Sequence, residues 1–200
     1  MKSVRRLLAT LASLVLGAAM LCPTAFATVQ TEAVDIDGVT QSKSKWCWAA
    51  CAEITGKAVY PSSSRDQYDV VKYLKGTSST PYPNSSGSIQ DSATGSEYAA
   101  YNTKDFTSKA SKWNFSQIAT SLSRGNPVQA GAGYYSGSTR NGGHVVVVCM
   151  TQFIDDSSGI EYYIDYYDPW DGTSHHCTLD AFSDGSYNGR KYDQTIYVVE

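Results

Sequence analysis

Trp46-Cys47-Trp48-Ala49-Ala50-Cys51-Ala52-Glu53-Ile54-Thr55-Gly56 sets Cys47, Ala50, Cys51 and Ile54 at i, i+3, i+4 and i+7. That spacing is one face of a helix, and Gly56 stands where such a helix would stop. Cys47 then occupies the first turn of a core helix, where the positive end of the helix dipole favours a thiolate. Just upstream, Gln41-Ser42-Lys43-Ser44-Lys45 reads as a polar loop. A Gln41 amide turned back from it, together with the Cys47 backbone N–H, would donate to the oxyanion of a tetrahedral intermediate. Gln41 reads equally well as an ordinary loop residue.

Outward from this helix the chain is helical first and extended second. Ser64 and Gln67 are read as a capping box for a helix that buries Val70, Val71 and Leu74 and ends at Gly76. The Ser-, Thr-, Gly-, Asn- and Tyr-rich stretch 76–113 reads as a long loop with a short helix around 97–101, either shaping a cleft or simply inserted. Asn114 caps a third helix through Ile118, Ala119 and Leu122 to Gly125. Strands follow at 128–132, at 144–154, across a turn at 155–159 into 160–168, and at 195–199. The expectation is an α+β fold, a helical part packed on an antiparallel sheet.

The ends of the sequence fix its organisation. Residues 1–6 are basic, 7–21 are almost wholly apolar, and Ala25-Phe26-Ala27 supplies a small-residue cleavage site, so 1–27 reads as a secretory signal peptide. Its apolar run is shorter than the roughly 20 residues a spanning helix needs. Large Leu21 before Cys22 argues against a lipoprotein signal. The expected product is an exported, monomeric, single-domain protein with no membrane association after cleavage. Residues 28–40 read as a short N-terminal extension, a propeptide remnant or an edge strand, and 41–200 as the domain proper. The formal charge of −3, with no long Lys/Arg run, makes nucleic acid a poor partner.

Four cysteines follow the leader: Cys47, Cys51, Cys149 and Cys177. Two disulfides are the ordinary reading for an exported domain. Cys51, one turn beyond Cys47, is read as a buried packing thiol or as bridged to Cys149 or Cys177.

A thiolate nucleophile needs a base, and the base needs a group to orient it. His144 follows Gly142-Gly143 and opens the apolar run 145–148, which would hold its ring at the start of a buried strand. A lone strand-end histidine is more often structural, and His175 and His176 are read as surface residues. Being adjacent on a strand, those two would point to opposite faces and would not readily share a metal. Asp168, at the end of the return strand in Asp168-Pro169-Trp170, is the candidate orienter, with Asp165 and Asp171 as rivals.

Taken in order, Gln41, the Trp46-to-Cys51 hexapeptide, Gly143-His144-Val145 and Asp168-Pro169-Trp170 resemble the papain-like cysteine peptidases. The likeness is closest to the bacterial branch with secreted avirulence-effector peptidases, and looser to the peptidases that trim bacteriocin leaders. It implies a helical subdomain carrying nucleophile Cys47, a β subdomain carrying His144 and Asp168, and a peptide cleft between them, with Gln41 completing the oxyanion hole. Asp168 stands where the plant enzymes have Asn. The implied activity is endopeptidase hydrolysis of peptide or protein substrates with no cofactor or metal. A Cys–His amidase or acyltransferase, and a non-catalytic disulfide-bonded interaction domain, remain as alternatives.

Overall fold

The computed structural model describes residues 27–76 and 82–199. The leader, apart from Ala27, lies outside the described residues. From the first helix onward, three helices precede the main run of strands: α1 (Cys47–Val59), α2 (Gln67–Lys75) and α3 (Ile89–Ala99). A seven-stranded sheet runs β2-β7-β3-β4-β5-β6, with β1 (Thr28–Ala33) also paired to β4 (Thr139–Asp156). The other strands are β2 (Phe106–Lys109), β3 (Val128–Ser136), β5 (Gly159–Asp168), β6 (Thr173–Thr178) and β7 (Lys191–Val198). Every pairing is antiparallel. The α+β expectation is met.

Strand alternation sorts β4 between two cores, because successive side chains leave opposite faces of a sheet. Val145 and Val147 pack with Cys51 and Ile54 of α1 and Ala93 of α3. Val146 and Val148 pack on the other face with Ile118 and Leu122 of α4 (Phe115–Ser123) and Phe182 of α5 (Leu179–Asp184). A third cluster lies within the helical layer, where Trp46, Trp48, Ala49 and Ala52 meet Val70, Val71 and Ala99.

Several local expectations needed correction. Helix α1 runs past Gly56 to Val59. Gly56 serves close packing instead, since a Cβ there would sit 2.4 Å from Ala99 Cβ. The capping box of α2 is Asp66 with Asp69, not Ser64 with Gln67. Gln67 instead clamps the chain before α1, accepting from Ser42 N–H at 2.7 Å and donating to Thr40 O at 3.1 Å. The stretch read as a long loop contains the eleven-residue α3 and the strand β2. Residues 173–184 form β6 and α5, which had not been anticipated. Within 28–40, β1 pairs along β4, and Val34, Ile36 and Val39 pack against the two cores.

No disulfide joins the described cysteines, all four of which are free thiols. Cys51 donates to Val145 O at 3.2 Å from within one core, whereas Cys177 lies in the core on the opposite face. Cys149, at the β4 register shift, and Cys177, on β6, have β5 between them. Two strand spacings amount to about 9–10 Å, beyond the reach of a disulfide.

Candidate active site

Cys47 is the first residue of α1, so its backbone N–H has no partner within the helix. Its side chain is half-buried and interacts directly with His144. Burial alone would raise the thiol pKa. The His144 hydrogen bond and charge, with backbone N–H donors at Val145 and Trp48, outweigh it and bring the pKa below 9.0. Val145 thus serves both cysteines, its N–H directed to Cys47 sulfur and its carbonyl accepting from Cys51.

His144 lies on β4 beside the start of the buried valine run and is 7% exposed. The register Val148↔Tyr166 and Val147↔Tyr167 brings the end of β5, and with it Asp168, beside the start of the valine run that follows His144. His144 Nε2 lies 2.5 Å from Asp168 Oδ1, which leaves Nδ1 for Cys47. Burial alone would lower the ring's pKa. The Asp168 and Cys47 interactions overcome that and lift it from 6.5 to about 9. The imidazole is therefore charged at neutral pH, and that charge beside the sulfur favours the thiolate form of Cys47.

Asp168 is 5% exposed and well supplied with donors. Trp170 N–H donates to its Oδ1 at 2.8 Å, and Arg190 Nη1 lies 3.3 Å from Oδ2. Burial would raise the carboxyl pKa, but His144 first, then Trp170 N–H and Arg190, hold it below the ordinary 3.8. The rival acids are engaged elsewhere. Asp165 pairs with His176 at 2.5 Å and Asp171 with His175 at 2.9 Å, both near the surface.

Gln41 is joined to the Asp168 turn by its backbone N–H, which donates to Pro169 O at 2.8 Å. Its Nε2 donates to Lys43 O at 2.8 Å, and its Oε1 is buried without a partner. One carboxamide N–H thus remains beyond the Lys43 bond, but Gln41 is not among the residues that line the cleft.

That cleft has a volume of about 600 Å³ and is lined by Cys47 and His144. Residues 86–89, from the stretch read as a loop, form part of one wall. The segment just before them is tied to the tryptophans flanking Cys47: Trp46 Nε1 donates to Pro83 O at 3.0 Å and Trp48 Nε1 to Ser85 O at 3.1 Å. Gly87 lies so close to the Trp48 ring that a Cβ would come within 2.4 Å of it. The other wall includes Tyr134, Arg140 and Arg190, none of which sequence reasoning singled out. Only strand order brings β7 beside β3 and Arg190 to Asp168, and no sequence motif signals that approach.

A helix-start cysteine layered on an antiparallel sheet that bears histidine and aspartate is the architecture of the papain-like cysteine peptidases. The family model described as the Peptidase_C39 like family matches residues 33–195, and the chain belongs to that family. No curated protein matches the chain.

Proposed function

We propose that the chain is an exported endopeptidase that cuts peptide bonds through an acyl-enzyme at Cys47, with His144 and Asp168 completing a triad. The observation that carries the reading is that His144 interacts with Cys47 on one side while its Nε2 lies 2.5 Å from Asp168 Oδ1 on the other. In acylation the Cys47 thiolate attacks the carbonyl carbon, and the imidazolium gives its Nδ1 proton to the departing amine. In deacylation the neutral imidazole takes a proton from water, the hydroxide adds to the thioester, and Cys47 leaves as thiolate. The Cys47 backbone N–H and the remaining Gln41 carboxamide N–H are the proposed oxyanion donors. Asp168 keeps Nδ1 aimed at the thiol and favours the imidazolium. Four free thiols favour an enzyme over a disulfide-bonded interaction domain. Export rests on the basic start and apolar run of residues 1–27, and affinity with the secreted effector-type branch on the ordered motifs around Gln41, Cys47, His144 and Asp168.

The test uses the full-length chain expressed with its leader in a bacterial host. The exported protein should begin at Thr28 by intact mass and cut internal bonds of a peptide library read by mass spectrometry. Cys47→Ala should be exported equally and cut nothing. Cleavage by that variant at the parent's rate would overturn the mechanism, and retention of the uncleaved leader would overturn the export.

A further inference from the structure

The cleft wall beyond the triad is built from cations held in place. Arg140 Nε lies 2.8 Å from Asp193 Oδ2, and its Nη2 lies 3.1 Å from Gln194 Oε1 and 3.5 Å from Asp193 Oδ1. Arg190 Nε donates to the Tyr134 hydroxyl at 2.6 Å, Nη1 reaches Asp168 at 3.3 Å, and the guanidinium lies 5.3 Å from the Tyr134 ring centroid. A guanidinium carries five N–H donors in a fixed fork, so each arginine keeps donors beyond these contacts. Both line the cleft, and Lys45 lines it from the helical side.

Among the described residues the cleft lining contains no Asp or Glu, in a chain of formal charge −3. Asp193 and Asp168 lie behind the arginines, offsetting part of their charge and fixing their orientation. Lys45 and the remaining guanidinium donors have no carboxylate facing them across the lining. A ligand carboxylate would meet pre-positioned donors with little side-chain entropy left to lose. A ligand lysine or arginine would be desolvated against like charge with no acid to receive it.

We propose that this cleft selects peptides carrying a carboxylate close to the bond cut, with Arg140 and Arg190 as the recognition groups. The inference rests on the peptidase reading and names its substrate class. The carboxylate is either an internal Asp or Glu side chain or a chain terminus, and the two are separable by experiment.

The test takes a cleaved library peptide and scans Glu, Gln and Lys through the positions flanking the scissile bond, each with a free and an amidated C-terminus. At one position kcat/KM for Glu should exceed that for Gln by roughly ten-fold, as expected for a charge-assisted hydrogen bond, and Lys should be the poorest. A preference that follows the free C-terminus instead assigns the arginines to terminal-carboxylate capture. Either preference should shrink as salt rises and fall toward one in Arg140→Gln, which leaves Asp168 its own partners. Alkylation of Cys47 by iodoacetate against iodoacetamide gives a readout that needs no cleavage. Its rate ratio should drop several-fold in Arg140→Gln. A ratio that drops while no peptide is ever cut keeps the carboxylate selection and removes the peptidase reading. Equal rates for Glu, Gln and Lys peptides at low salt, with an alkylation ratio unchanged by Arg140→Gln, would overturn the proposal.

Discussion

The imidazole of His144 lies between the Cys47 sulfur and the Asp168 carboxylate, and in the proposed mechanism its protonation decides when Cys47 is armed. With its folded pKa raised to about 9, its charged form contributes stability that is complete below its unfolded value near 6.5 and is lost as pH rises through about 9. The imidazolium therefore persists across neutral pH, and kcat/KM should follow a bell. Its alkaline limb should lie near pH 9, where the imidazolium loses the proton owed to the leaving amine. The acid limb marks protonation of a thiolate whose pKa is depressed chiefly by that same imidazolium. Asp168→Asn removes the first of the interactions that raise the His144 pKa while keeping an oxygen to accept from Nε2. That variant should lose roughly 100-fold or more in kcat/KM, within the ~10²–10⁴-fold that general acid–base catalysis contributes, with the alkaline limb moved to lower pH. An alkaline limb at the same pH in parent and variant would show that Asp168 does not set the charge on His144.

Among the elements, α1 was legible because Cys47, Ala50, Cys51 and Ile54 recur at helical spacing, although its burial is continuous from Trp48 to Gly56, and α4 because Asn114 caps a short run with Ile118 and Leu122 inside. Helix α3 was legible only at its C-terminal end, as a short helix around 97–101, for a physical reason. Its buried residues are Ser92, Ala93, Gly95, Ser96 and Ala99, so it packs through small side chains and close backbone approach and shows no hydrophobic stripe. Its one local signal was the Ser88 and Asp91 capping box, present in the sequence as Ser-x-x-Asp. The same closeness explains why α1 does not end at Gly56. A Cβ there would lie 2.4 Å from Ala99 Cβ and 2.9 Å from Ala99 carbonyl carbon, atoms with nowhere to retreat. Ala is the better helix former by about 1 kcal/mol, but overpacking costs about 1–3 kcal/mol. Gly56→Ala should therefore be destabilising by up to about 2 kcal/mol in urea unfolding, and adding Ala99→Gly should recover part of the loss. A Gly56→Ala protein more stable than the parent would mean that α1 and α3 have room to part.

Across the whole molecule, Cys47 belongs to the helical layer and His144 and Asp168 to the sheet, so the proposed triad exists only while the two layers keep one registration. The order Gln41, Cys47, His144, Asp168 could be read along the chain, but what locks the layers could not, because it is polar and buried. Gln129 on β3 is fully buried between them. Its Nε2 donates to Thr55 Oγ1 of α1 at 3.0 Å and Ser96 Oγ of α3 at 2.7 Å, while Oε1 accepts from Ser92 Oγ at 2.5 Å. Thr55 and Ser96 spend their own protons on helix carbonyls, Cys51 O at 2.7 Å and Ser92 O at 2.8 Å, so their remaining lone pairs face the Gln129 amide. Gln129→Leu keeps nearly the same volume but strands these acceptors. A buried polar group left without its partner costs about 1–3 kcal/mol, and in a chain of this length each kcal/mol is worth about 2–4 °C in Tm. The variant should melt roughly 4–10 °C below the parent by circular dichroism. Its Cys47 should also react more slowly with iodoacetamide at pH 7, because a looser layer interface lets the thiolate drift from His144. A variant that melts with the parent and alkylates at the parent's rate would show that the apolar contacts of Cys51 and Ile54 against Val145 and Val147 hold the two layers in register without the glutamine.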